Sequence, residues 1–229
     1  AIGVRADAIS QTVRVDDSQY AFEELGDFER TLNLRESHAN EFEGYSFTLT
    51  GDLGWADLKV TASRQSHELD GRVDATLGVG AFGGSGTAGY DTTNHISATE
   101  YEGALTSPDN GSLIWLVGGF MSDYTHDRTA ALTPLGPGAP LYQASRSDHV
   151  DEYAIFGEAT WAITPQFRVT VGGRFFRLGV DTQALSNRGA FITDSFEGEV
   201  RSQGFAPKVV VEYRLSDQIL IYVEGSEGY

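Results

Sequence analysis

The sequence has no cysteine, so disulfide scaffolds, thiolate metal sites and cysteine nucleophiles are excluded at the outset. It is also poor in cations: 16 Lys and Arg against 33 Asp and Glu leave a formal net charge of −17. Neutralising phosphates takes clustered Lys and Arg, so no nucleic-acid partner is expected. Long hydrophobic runs are missing as well. The longest nearly uninterrupted one, Leu113–Met121, falls well short of the roughly 18 residues that a membrane helix needs. A chain of this kind that spans a membrane must do so as a barrel, because in hydrocarbon only helices and closed barrels satisfy every backbone polar group. Nor does Ala1–Ser10 carry a basic start followed by an apolar core, so no signal peptide is visible. Gln218–Tyr229 stops inside a strand-like pattern, and the chain of 229 residues reads as an internal piece of a longer one.

What the sequence does have is alternation. Tyr45, Phe47, Leu49 and Leu53 alternate with Ser46, Thr48, Thr50 and Asp52. The same two-residue period runs through Tyr153–Ile163, through Phe167–Phe175 and through Lys208–Leu215. It marks strands with one apolar and one polar face. The connections alternate too. Asp52–Gly54, Pro108–Gly111, Thr164–Gln166 and Ser216–Gln218 are short and built from turn-forming residues. Stretches near Glu68–Asn94, Thr125–Val150 and Gln183–Val200 read as long polar loops. Membrane barrels keep that rhythm, with short turns at the periplasmic end and long loops outside. The strand-like stretches between are about 10–14 residues, against the about 9–11 that a tilted membrane strand needs. Trp55, Trp115, Trp161, Phe167 and Tyr213 lie near their turn-side ends, where an interfacial aromatic girdle is expected. The hairpins are about Glu41–His67, His95–Tyr124, Asp151–Thr182 and Ser202–Tyr229; Ala8–Val15 adds a further strand and Tyr20–Asn40 a long acidic loop.

The catalytic and cofactor motifs fail on context. Gly78–Gly83 spells a dinucleotide fingerprint, but more glycine follows it and no helical pattern that could hold a pyrophosphate. A flexible loop is expected there. His126 lies between Asp123 and Asp127, and His149 between Asp148 and Asp151. Imidazole and carboxylates can hold a divalent ion, yet solvated loop polarity accounts for them more simply, and no metal is assigned. The paired carboxylates Asp16/Asp17, Glu23/Glu24 and Asp151/Glu152 point to opposite faces if they lie on strands, so they do not converge for acid–base work. No Gly-x-Ser-x-Gly elbow is present, and neither catalysis nor a cofactor is expected. Asn110–Ser112 satisfies the glycosylation tripeptide but lies in the tightest turn.

Three hairpins resemble the barrel of TonB-dependent outer-membrane receptors. In His95–Tyr124, Leu105, Ser107, Pro108, Trp115, Gly118 and Phe120 match a recurrent Leu-x-Ser-Pro turn followed by a Trp-x-x-Gly-x-Phe/Tyr strand. The usual Glu-Leu-Arg of the first strand is replaced around Tyr101–Ala104. In Asp151–Phe175, Tyr153, Ala154, Phe156, Gly157, Gly173 and Arg174 occupy family positions. In Phe205–Tyr229, so do Pro207, Lys208, Tyr213, Asp217, Tyr222, Gly228 and Tyr229. The resemblance covers roughly residues 41–229. It implies an all-β, antiparallel transmembrane β-barrel segment, about eight or nine strands of a barrel of about 22. Residues 1–229 then form a partial barrel domain lacking the plug domain and the later strands.

The family role implied is uptake of a scarce ligand across the bacterial outer membrane, most commonly an iron–siderophore complex, energised by TonB through an N-terminal region absent from this sequence. Outer-membrane lipid and lipopolysaccharide are the implied surroundings. Glu158, Arg168, Arg174, Lys208, Glu212, Arg214 and Glu224 lie on polar strand faces and would line the lumen wall if the apolar sets face lipid; ion-pair ladders between strands are the plainer account for most of them. The acidic surplus, placed largely in the loops, suits divalent cations bridging lipopolysaccharide and disfavours a strongly anionic cargo. A passive porin-like channel and a soluble β-sandwich binding module are the competing readings.

Overall fold

The computed structural model describes residues 1–18, 21–109, 111–189 and 192–228. Asn110 of the glycosylation tripeptide and Tyr229 of the last hairpin pattern lie outside them. The described residues form nine strands: β1 (Ile2–Val15), β2 (His38–Asp52), β3 (Asp57–Asp74), β4 (Ala88–Thr106), β5 (Leu113–Pro134), β6 (Tyr142–Ala162), β7 (Phe167–Arg188), β8 (Ile192–Ser216) and β9 (Ile219–Ser226). They make one sheet in the order β1 to β9, every neighbouring pair antiparallel. Two single 3₁₀ turns, Glu23–Leu25 and Val79–Phe82, are the only helical elements among the described residues. Among the described residues no helix is long and apolar enough to cross a membrane.

The short turns fall where the sequence puts them, and local chemistry closes each. After β2, the Gly54 N–H donates to the Asp52 carboxylate at 2.7 Å and the Leu53 N–H to the Ala56 carbonyl at 2.9 Å. Gly54 sits at φ +84°, a conformation that glycine adopts without a Cβ penalty. After β6, the Thr164 hydroxyl accepts from the Phe167 N–H at 3.0 Å. After β4, the buried Ser107 donates its N–H to the Trp115 carbonyl at 2.8 Å and accepts the Trp115 N–H on its hydroxyl at 2.9 Å.

The long loops are corrected. β3 continues to Asp74, β4 begins at Ala88, β5 runs to Pro134, β6 starts at Tyr142 and β7 reaches Arg188. Most of Glu68–Asn94, Thr125–Val150 and Gln183–Val200 is therefore strand. β5 and β7 have 22 residues each and β8 has 25, about 70–80 Å of extended chain at about 3.3 Å per residue. A membrane barrel's apolar band is only about 25 Å tall. The upper halves stand clear of it, wet on both faces, and so carry none of the apolar–polar contrast by which a strand is read from sequence.

Gly78–Gly83 lies in the loop between β3 and β4, where Val79–Phe82 forms a 3₁₀ turn. Val79, 4% exposed, packs with Ala88 and Leu132, while Phe82, Tyr90 and Tyr142 close round them. The loop before β2 is anchored through Asp74. Desolvation pushes the Asp74 carboxyl upward, but bonds from the Thr76 hydroxyl and N–H and from the Asn33 and Leu34 N–H groups outweigh it and hold it at about 2. Nearly buried Glu36 adds a second tie, accepting the Asp74 N–H at 2.9 Å. A carboxyl depressed in the folded state contributes stability above its ordinary pKa of 3.8 and loses it as pH falls through about 2. Hydrogen exchange over residues 21–37, measured relative to the intrinsic rate at each pH, is therefore expected to stay slow at pH values above about 4 and to accelerate towards about pH 2. In Asp74→Asn the acceleration should already be present at neutral pH.

Candidate functional site

Register sorts every strand residue onto one of two faces, because directly paired residues share a face and successive residues alternate. One face is apolar. Row by row it carries Leu113, Trp161, Val169 and Val211; then Val117, Gly157, Gly173 and Pro207; then Tyr101, Met121 and Tyr153. Phe47, Leu49, Val60, Leu105, Val171 and Phe175 lie on it too. From Trp161 to Tyr153 this belt runs nine residues along β6, within the about 9–11 with which a tilted strand crosses a bilayer. The turn-side girdle includes Trp55 and Trp115, stacked at 6.3 Å. A second girdle, missed in the sequence, closes the other edge with Tyr45, Tyr101, Tyr153, Phe175 and Phe205. A soluble sandwich would bury this face under another sheet. Here it is bare: Ile155 is 67% exposed.

The opposite face holds all of Glu158, Arg168, Arg174, Lys208, Glu212, Arg214 and Glu224. Lys208 donates to the Glu158 carboxylate at 2.8 Å although β7 stands between their strands. Gly172 makes that reach possible: it is paired with both, and a Cβ on it would meet the Gly157 carbonyl oxygen at 3.0 Å and the Glu158 side chain at 3.2 Å. Arg168 and Glu212 face each other across β7 and β8 at 3.8 Å. Arg174 pairs with Glu152, which the sequence reading omitted, and sits 5.4 Å from the centre of the Phe120 ring. Arg214 and Glu224 share the face. Lys208 and Glu158 are each 40% exposed, and exposed ion pairs contribute only about 0–1 kcal/mol. Ion pairs between strands thus lace the wall. Glycines under aromatic rings fill the gaps between its charges: Phe156 lies over Gly118 and Phe176 over Gly204.

The histidine clusters do not make metal sites. His126 lies on the polar face, bonded to Asn94 at 3.1 Å, while Asp123 and Asp127 lie on the other. Asp148 and His149 are likewise on opposite faces. Among the described residues no group of three or more His, Asp or Glu side chains is arranged to hold an ion.

A nine-stranded antiparallel meander with an apolar belt, aromatic edges and a charged reverse face is the wall of a large membrane barrel. A family model described as TonB dependent receptor-like, beta-barrel matches residues 4–229. The chain belongs to that family. Solved receptors share its fold. The ferric yersiniabactin uptake receptor of Yersinia pestis superposes with a TM-score of 0.81 at 12% identity, over 97% of this chain and 34% of its own. The siderophore receptor PiuA of Acinetobacter baumannii gives 0.64 at 15% identity, covering 96% and 39%. The ferric preacinetobactin receptor BauA of the same organism gives 0.59 at 12%, covering 97% and 37%. The chain thus spans a little over a third of these receptors. No curated protein matches it. As a TonB-dependent receptor barrel segment it forms part of an unclosed wall, with β1 and β9 at the open edges.

Proposed function

We propose that this chain is the central wall of an outer-membrane receptor that imports a scarce metal chelate, an iron–siderophore complex, with energy relayed by TonB. The observation that carries the reading is the two-faced belt: an apolar surface of membrane-crossing length backed by a face that holds the ion pairs Lys208–Glu158, Arg168–Glu212 and Arg174–Glu152. A family-wide barrel supplies the rest of the wall, and the solved receptors of similar fold are named for ferric yersiniabactin uptake, for a siderophore and for ferric preacinetobactin. In this reading the polar face with Lys208, Glu158, Arg174 and Glu152 looks into the lumen, towards the plug, and the belt faces outer-membrane lipid. The strand collar above the upper girdle stands outside the cell among lipopolysaccharide. The role is transport, with no catalytic step.

The test is genetic and quantitative. Deleting the gene that encodes this chain should abolish uptake of radioactive iron from at least one ferric siderophore under iron limitation, and deleting TonB should abolish the same uptake. Uptake that persists without TonB, as in a passive channel, or that is unchanged without the gene for every chelate class tried, would overturn the proposal.

A further inference from the structure

The apolar belt has a gap in it. In the row Val60, Gly103, Gly119 and Ile155 the two glycines are paired with each other, so neighbouring strands present no side chain there. Other glycines of the sheet lie under aromatic rings: Phe205 over Gly173 on the same face, Phe156 over Gly118 and Phe176 over Gly204 on the other. Gly103 and Gly119 are bare. An added Cβ would meet nothing closer than Val60 at 3.9 Å on the first and the Ala154 carbonyl oxygen at 3.7 Å on the second. The result is a hollow of about 510 Å³, walled by Val60 and Ile155 and bounded above by Tyr101, Met121 and Tyr153.

Polarity above the hollow changes in a fixed order. In the row of the tyrosines, Tyr153 is paired with Arg177, which lines the hollow and has no ion-pair partner among the described residues. One row higher, about 7 Å further along the strands, Asp123 stands directly opposite Asp151. Like charges paired in this way are unfavourable unless a cation lies between them. The cationic groups at hand are distant or shared. His149, a cation only when protonated, is 3.5 Å from Asp123. Arg201 is 3.7 Å from Asp151 and holds Asp181 at 2.9 Å and Glu199 at 3.1 Å. Arg64 lies in the row of Asp123, two strands away. An apolar floor, then a guanidinium, then a carboxylate pair matches a zwitterionic phospholipid from tail to head: acyl chain, phosphate, ammonium. An anionic head would leave the carboxylate pair uncompensated, and a second copy of this chain would set acidic rows against each other. Lipid tails are as apolar as the wall, so burial alone selects no lipid. Close packing in the hollow and charge-assisted bonds to the head supply the preference.

We infer that the Gly103–Gly119 hollow seats one acyl chain of a phosphatidylethanolamine, with its phosphate on Arg177 and its ammonium between Asp123 and Asp151. This rests on the receptor reading, which turns the belt to lipid. The experiment places the full-length receptor in nanodiscs of equal parts phosphatidylethanolamine and phosphatidylglycerol, and in a parallel preparation with lipopolysaccharide and Mg²⁺ added. Lipids that stay bound after transfer to detergent are counted by native mass spectrometry. The native receptor should keep one phosphatidylethanolamine, favoured over phosphatidylglycerol at least about ten-fold, the worth of one charge-assisted contact. Gly119→Leu, which fills the hollow and changes no charge, should abolish retention. Arg177→Gln should weaken both phospholipids alike, and Asp123→Asn should remove the preference between them. Val171→Leu, on the same face outside the hollow, should change nothing. Heat-modifiable gel mobility shows that each variant still folds. No retained lipid on the native receptor, equal retention of the two phospholipids, lipopolysaccharide kept in their place, or retention indifferent to Gly119→Leu would each overturn the seat. Energised uptake by the native receptor is read separately, and its loss is what counts against the receptor reading.

Discussion

Replacing Val117 by arginine should cost about 2–4 kcal/mol of folding free energy in a bilayer, the penalty for a cation on the lipid face near the midplane. Val117 is half exposed and lies in the row of Gly157, Gly173 and Pro207, midway between the two aromatic girdles. Its neighbour provides the control. Leu116 points to the other face and is paired directly with Glu158, so Leu116→Arg places the same charge beside a carboxylate and should change stability by less than about 1 kcal/mol. Denaturant titration of the full-length barrel in lipid vesicles measures both. Equal penalties for the two variants would mean that the face assignment is wrong.

The second large effect concerns a glycine. A Cβ at Gly118 would lie 2.5 Å from the Phe156 ring and 2.8 Å from the Gly103 carbonyl oxygen. The ring can move, but the carbonyl belongs to the β4 backbone and cannot. Gly118→Val is therefore expected to destabilise the barrel by about 1–3 kcal/mol, the range for overpacking, and to move the Phe156 ring off its strand. Gly103→Val is the matched comparison. It faces the belt side, where an added Cβ meets nothing closer than Val60 at 3.9 Å, and a valine in contact with lipid should be neutral. Thermal unfolding followed by gel mobility separates the pair; similar midpoints for both variants would rule out the packing argument.

How much of this was legible beforehand depends on which solvent each strand meets. Between the turns and Tyr45, Tyr101 or Tyr153, one strand face touches hydrocarbon, so Phe167, Val169 and Val171 alternate with Arg168 and Thr170 and the strand announces itself. Above that level both faces are wet. In β6, Gln143, Ser145 and Ser147 alternate with Ala144, Arg146 and Asp148, a sequence with no contrast to read, and these stretches passed for loops. The wall residues were recognisable one strand at a time because polarity assigns each to a face. Which of them meet was not. The Lys208–Glu158 bridge requires knowing that Gly172 lies between. In sequence Glu152 is half of an adjacent acidic pair; the alternation that separates it from Asp151 is also what delivers it to Arg174.

Backbone pairing in this segment is strictly between strands adjacent in sequence. The sheet is therefore a ribbon that lengthens by one hairpin at a time, each new strand templated by the last and needing nothing made later. Loop-closure entropy is incurred in small instalments. A barrel wall assembled this way can be built into a membrane from an open edge, with β1 or β9 always presenting the next row of unmet hydrogen bonds. A seam joining first strand to last would be the strand pairing of longest range that such a barrel has to find.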